Sequence, residues 1–264
     1  MFAAVVNDYG RFGEVIDLRT GEVTLALDNQ GYHEETVPFS LEFGHSRGRC
    51  VVIHRTDWNR LDVSDARTGM LLTDRPSPEP AAEDAPPEHY LDYFHGALSV
   101  SPDGRRILDD GWIWHPIGAP IVWDLDPWTQ GNVWESEDGP SRVDVCSRAY
   151  YWDHAMTWID SVRLAVEGIG DDGLHMRPGA RIFDTSRTGR DAMAVELLSF
   201  EGPTGPFFSD GTRLFSHGDI GLSIWDPVEG KLLGAVPGVF PTHHHPDARQ
   251  FLQLADGVVR LWTA

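Results

Sequence analysis

Short runs of alternating apolar and polar residues, each closed by a turn signal, follow one another along the whole chain. Six strings repeat the pattern: EVIDLRTGEVTLAL (14–27), LDVSDARTGMLLT (61–73), PIVWDLDPWTQGNVW (120–134), ARIFDTSRTGRDAMAVELL (180–198), LSIWDPVEGKLLGAV (222–236) and VVRLWTA (258–264). In each, an alternating run meets a polar residue, usually aspartate. A short turn follows, ending in glycine where it is complete, and usually a second run. The pattern predicts β-hairpins, with Gly21, Gly69, Gly189 and Gly230 where a tight turn takes positive φ. A second unit lies upstream of most hairpins: ALSVSPDGRRIL (97–108), FFSDGTRLF (207–215) and THHHPDARQFLQL (242–254), with weaker versions at LEFGHSRGRCVVI and MTWIDSVRLAV. Four strands joined by turns are therefore the repeating element.

The aspartates Asp17, Asp65, Asp124, Asp184 and Asp226, with Thr263 in the equivalent place, stand 48, 59, 60, 42 and 37 residues apart. One scaffold thus carries insertions of different length. About six four-stranded units of roughly 40 to 45 residues or more, with Trp-Asp at 123–124 and 225–226, resemble β-propellers of the WD40 kind. SPDGRR, IVWDLD, IWDPVEGKLL and VVRLW look like bacterial WD40 repeats, and the resemblance covers nearly the whole chain, although the Gly-His dipeptide of eukaryotic repeats is absent from its usual place.

The resemblance implies a single all-β domain, residues 1–264, forming a β-propeller of six blades with four antiparallel strands each; five or seven blades stay open. Strands a to d of a blade run from the channel outward. Blade one then shows b (2–8), c (14–18) and d (22–28) without a clear a, and blade six shows a (240–245), b (250–254) and c (258–263) without d. The N- and C-terminal strands are expected to meet and close the ring.

In such a blade the a–b and c–d turns lie on one face of the disc and the b–c and d–a loops on the other. The a–b turns (SPDG, SDG, HPDA) and most c–d turns (LRTG, ARTG, PVEG) are short and nearly interchangeable, which marks scaffold. The long segments, 29–37, 74–95 and 135–154 as d–a connections and 109–119 and 167–179 as b–c connections, all fall on the second face, where binding is expected. Within them, 76–88 is acidic and Pro-rich and is expected to be a mobile loop. The candidate partner-binding residues on this face are Trp58, Trp112, Trp114, His115, Tyr151, Trp152, Asp153 and His154. Aromatic rings beside carboxylates suit a basic peptide or an Arg-bearing protein surface, through cation–π contacts and charge pairing. Trp123 and Trp225 occupy a repeated strand position and are packing residues. One of Trp112 and Trp114, which share a side if their run is extended, is expected to pack likewise.

Composition narrows the partners. There are 41 acids against 21 bases, Lys231 is the single lysine, and the formal charge is −20, which disfavours nucleic acid and anionic lipid. The same acidity also serves simple solubility. Cys50 and Cys146 have no CxxC spacing and read as buried thiols. The start, MFAAVVNDYG, lacks the features of a signal peptide, and no run approaches the roughly 18 apolar residues of a membrane span. A soluble cytoplasmic protein with a protein or peptide partner is the expectation.

Catalytic motifs are missing: there is no GxSxG elbow, HExxH, P-loop or dinucleotide fingerprint, and no cofactor is indicated. The rival reading is a metal-assisted hydrolase, because propeller lactonases hold an ion at the channel mouth. Its candidates are His95, Asp153, His154 and the triplet His243–His245, a mixed set that would suit zinc or manganese. In THHHPDARQFLQL, Pro246 and Asp247 align with the SPDG turn, so the histidines end an inner strand. Period two puts His243 and His245 on one side, where they remain a possible ligand pair. His244 falls on the other, at the position of Val100, as a packed and hydrogen-bonded residue. A third reading has the inner strand of blade one donated by another polypeptide or by preceding sequence.

Overall fold

The computed structural model describes residues 1–77, 87–189, 191–245, 248–255 and 257–263. Most of the mobile loop expected at 76–88, and the turn expected at Pro246 and Asp247, lie outside the described residues. Among the described residues six sheets follow one another along the chain. Sheet 1 holds Phe2–Val6, Phe12–Asp17 and Glu22–Asp28, and sheet 2 holds Leu41–Ser46, Arg49–Asp57 and Arg60–Asp65. Sheet 3 is built on Phe94–Val100, Arg106–Ile113, Ile121–Asp124 and Val143–Asp144; sheet 4 on Met156–Trp158, Arg163–Ile169, Arg177–Asp184 and Val195–Glu201. Sheet 5 holds Phe207–Ser209, Leu214–Gly218, Gly221–Asp226 and Lys231–Pro237, and sheet 6 holds His243–His245, Gln250–Ala255 and Val258–Thr263. These strands pair antiparallel in chain order. A parallel contact occurs where Ala192–Met193 reaches back from sheet 4 to Val143–Asp144.

The recurring aspartates build the turns. Asp65 Oδ1 accepts the N–H groups of Arg67 and Thr68, and Asp226 Oδ1 those of Val228 and Glu229. In the same turns Gly69 and Gly230 return a backbone N–H to the aspartate carbonyl at 2.9 and 2.8 Å, both with φ +67°. A short acceptor that satisfies the turn's own donors, followed by a residue tolerant of positive φ, is what lets the chain reverse within five residues. Asp160 and Asp210 do the same between the first and second strands of sheets 4 and 5.

Two expected strands differ. The run at 70–73 is reduced to a single bridge, Ser64 to Leu71. The hairpin expected at 120–134 does not form: after Ile121–Asp124 come two short helices, Leu125–Gln130 and Glu135–Asp138, and the fourth strand appears only at Val143–Asp144. Pro127 lies in the first helical turn, where its lack of an N–H breaks no bond, and Leu125 and Trp128, three residues apart, both bury against sheet 2.

Each sheet packs face to face on the next. Val15 and Leu27 of sheet 1 meet Val52 of sheet 2; Val51, Ile53 and Val63 of sheet 2 meet Ile107 and Trp123 of sheet 3. The series continues with Leu108 and Val122 against Leu164 and Phe183, Ile182 against Leu214 and Trp225, and Phe215 against Phe251. Trp123 and Trp225 are buried in these seams, as their repeated position predicts. Among the described residues Phe2–Val6 pairs with Phe12–Asp17 alone, and Val258–Thr263 with Gln250–Ala255 alone.

Candidate partner-binding face

The aromatic side chains of four separate connections gather at one end of the sheets. Trp112 lies one residue before the end of strand Arg106–Ile113 and is only 3% exposed; its ring stacks on Phe94 at 4.4 Å and on Trp152 at 5.5 Å. Beyond Ile113 the strand ends and the chain turns, with His115 at φ +92°, so Trp114 leaves the strand and stands 46% exposed. Its ring meets the edges of Trp112, Phe94 and His33 at 5.2, 5.4 and 5.7 Å. Trp58, in the turn after Arg49–Asp57, lies 4.8 Å from Phe94 and 5.6 Å from Tyr32. Thus Trp112 is the buried floor, and Trp114, Tyr32 and the half-buried Trp58 and Trp152 form the surface above it.

Hydrogen bonds tie the connections together. Trp152 Nε1 donates to the carbonyl of Thr36, and Tyr9 Oη donates to Asp153 Oδ2 at 2.5 Å across 144 residues of sequence. That bond to a carboxylate pushes the Tyr9 phenol up to about 12. Next to this cluster, Tyr151 and His154 stack at 3.5 Å, and Arg148 lies over the Tyr151 ring. Beneath them sits Asp110, buried, accepting from Arg148 Nη2 at 3.3 Å and from the His154 N–H at 3.2 Å. Burial pushes its carboxyl up to about 6, against the pull of Arg148 and the N–H donor. Glu167, 3.7 Å from the His154 ring, is held below the usual carboxylate range: burial opposes its charge, but His154 and the Ala155 N–H outweigh that.

Of the eight candidates, Trp58, Trp112, Trp114 and Trp152 share one ring cluster. Asp153, Tyr151 and His154 flank it along the same connection. His115 is exposed in the hairpin turn, and among the described residues no ring contact or hydrogen bond joins it to the others. Sequence reasoning missed Tyr32, His33, Phe94 and Tyr9. The string DNQGYHEET at 28–36, two aromatic rings followed by two acids in a long connection, is the signal that was available.

Solved structures resemble the fold over all or nearly all of the chain. A chain of the mitotic checkpoint complex superposes on all of it with TM-score 0.55 and 14% identity, with 70% of that chain covered. The β-propeller domain of Cps50 (Swd1) from Myceliophteria thermophila covers 97% of this chain, with 78% of its own length, at TM-score 0.51 and 14% identity. The fold is a WD40-like β-propeller. Neither a protein-family model nor a curated relative matches the sequence.

In propeller terms, the aromatic cluster occupies the face formed by the b–c and d–a connections, and the aspartate turns occupy the other. The metal candidates do not gather: among the described residues no group of three or more His, Cys, Asp or Glu is placed to hold an ion. His95 is buried with Nδ1 2.6 Å from Asp109 Oδ2, an internal pair in sheet 3. His243 and His245 are exposed on one side of sheet 6; His244, on the other, stacks on Phe251 at 4.4 Å. The imidazole of His244 is packed as expected, but its Nε2 has no hydrogen-bond partner, and burial lowers its basicity.

Proposed function

We propose that this chain is one propeller domain of six blades, one per sheet, acting as a non-catalytic platform. Its loop face would take a basic segment of a protein partner. The observation that carries the reading is the pooling of exposed rings with acids on that face. Trp114 and Tyr32 are exposed and Trp58 and Trp152 half-buried; along the chain Tyr32 lies two residues before Glu34, Trp58 follows Asp57 and Trp152 precedes Asp153. A guanidinium laid on such a ring gains a cation–π contact worth about 0.5–2 kcal/mol and pairs with a neighbouring carboxylate. The rings are pre-positioned by Phe94 and Trp112, so little side-chain freedom is lost on binding. Both cysteines are free, which fits a reducing cytoplasmic setting. Among the described residues no helix is long and apolar enough to cross a membrane.

The test uses affinity purification from the native source, with arginine-rich and citrulline-substituted peptides as defined probes. The variant Tyr32→Ala/Trp114→Ala, which removes only the two exposed rings, should weaken the arginine peptide at least about tenfold. It should also lose the basic proteins that the wild type retains, with thermal unfolding little changed. Equal capture by the variant, or equal binding of the citrulline peptide, rules the reading out.

A further inference from the structure

We propose that the cavity between the first strands of sheets 3, 4, 5 and 6 is a binding site for an uncharged ring compound that carries a hydroxyl group. The cavity has a volume of about 430 Å³, within the range of roughly 300–1,000 Å³ usual for small-molecule sites. Ser99 lines it from sheet 3, Met156 and Trp158 from sheet 4, Phe208 from sheet 5 and His244 from sheet 6. Pro102 and Asp210 line it as well, from the turns that follow two of these strands. The cavity therefore lies toward the face of the aspartate turns, away from the aromatic loops.

Two polar atoms of this lining have nothing to bond. Ser99 Oγ and His244 Nε2 are buried and make no hydrogen bond among the described residues. A buried polar atom without a partner is costly, and a guest that reaches it relieves the cost. A hydroxyl both donates and accepts, so it can pair with the serine and with Nε2 whichever ring nitrogen carries the proton. The other walls are apolar. Met156 and Phe208 are half-buried, and the buried Trp158 ring has spent its N–H on the Ser99 carbonyl at 3.4 Å. Rings and a thioether favour a flat ring between them.

A charged guest would find no free counter-charge. Among the described residues no lysine or arginine lines the cavity, and burial keeps the His244 imidazole less basic than usual, although the Asp210 charge works against that. Asp210 is the one carboxylate in the described lining, and it is committed to its own turn: Oδ1 accepts the N–H groups of Thr212 and Arg213, and Oδ2 accepts from Arg213 Nε at 2.8 Å. Burial opposes its charge, yet these bonds outweigh burial and hold the carboxyl at about 2. An ion entering here would lose its water and gain no partner.

Isothermal titration calorimetry with 2-naphthol reads the outcome, with naphthalene and 2-naphthoate as controls. The wild type should bind 2-naphthol with a dissociation constant below about 0.1 mM. Naphthalene, which cannot bond to Ser99 or His244, should bind at least about tenfold more weakly, and 2-naphthoate more weakly still. Thr157→Trp, at a half-buried position in the same lining, should fill the cavity and abolish binding, with circular dichroism and thermal unfolding to check that the variant folds. A second variant does not depend on that one. Ser99→Val/His244→Phe keeps the size of the cavity and removes both polar partners, so it should weaken 2-naphthol at least about tenfold and leave naphthalene unchanged. No saturation by 2-naphthol up to about 1 mM overturns the proposal. So does naphthalene that binds as tightly as 2-naphthol, or undiminished 2-naphthol binding in either folded variant.

Discussion

Asp110 is the residue whose position tells most about the candidate binding face, because it is a buried carboxyl held against the stacked pair of Tyr151 and His154. Its folded pKa of about 6 stands above the ordinary 3.8. Between those values the folded chain binds more protons than the unfolded chain. The contribution of Asp110 to stability is therefore fully present below about pH 4 and is lost as pH rises through about 6. The shift corresponds to something on the order of 3 kcal/mol. Asp110→Asn resembles the protonated acid at every pH. Its stability relative to wild type should therefore improve by about that amount between roughly pH 4 and pH 7, measured by urea unfolding at both. A difference that is the same at both pH values means that Asp110 does not titrate in this way. Little of this was legible beforehand. Asp109 and Asp110 stand in an unremarkable DDGW string, and only the fold turns them to opposite sides of one strand, toward sheets 2 and 4. The tryptophans were more legible, since aromatic residues in long connections stand out from the repeat. Even so, the parting of Trp112 from Trp114 depends on where the strand ends, which alternation alone does not fix.

At the scale of elements, the repeat was readable because each strand and turn is specified locally: apolar alternation, an aspartate that accepts turn N–H groups, and a glycine in the left-handed region. Gly21 and Gly69 occupy the same place in two such turns, with φ +76° and +67°. Gly21 has open space around it, whereas a Cβ on Gly69 would lie 2.5 Å from the Thr24 carbonyl oxygen of the neighbouring sheet. Gly21→Ala should then cost only the strain of the backbone, about 1–2 kcal/mol. Gly69→Ala should cost more, by at least about another 1 kcal/mol, because sheet 1 and the turn of sheet 2 must part. Chemical denaturation of both variants checks the order, and equal losses would show that the seam yields freely. The element that could not be read was the helix at Leu125–Gln130. IVWD matches its sibling blades, and nothing local says that the chain after it will bury Leu125 and Trp128 on sheet 2 instead of pairing as a strand. That choice is made by tertiary contact, with Pro127 the one local hint.

For the whole molecule, the net charge of −20 has two parts with different consequences. Some acids are already spent on structure and paired with arginine in the same turn, such as Asp17 with Arg19, Asp160 with Arg163 and Asp210 with Arg213. They contribute little field at a distance. Others, including Glu34, Glu35, Asp57 and Asp153, sit on the loop face beside the ring cluster, where their potential reaches solvent and adds to the excess of the chain as a whole. Under the proposed function a basic partner would be drawn toward that face before any contact forms, and the attraction reaches only about a Debye length, roughly 10 Å at 0.1 M salt. The aromatic contacts, made after docking, are insensitive to salt. Association of the arginine-rich peptide should therefore slow by about tenfold or more from low to physiological ionic strength, while its dissociation rate changes little. Removing the rings should do the reverse, speeding dissociation with association nearly intact. Stopped-flow measurement of both rates separates the two effects. If salt acted mainly on dissociation, the charges would lie inside the contact and not around it, and the division of labour between acids and rings drawn here would be wrong.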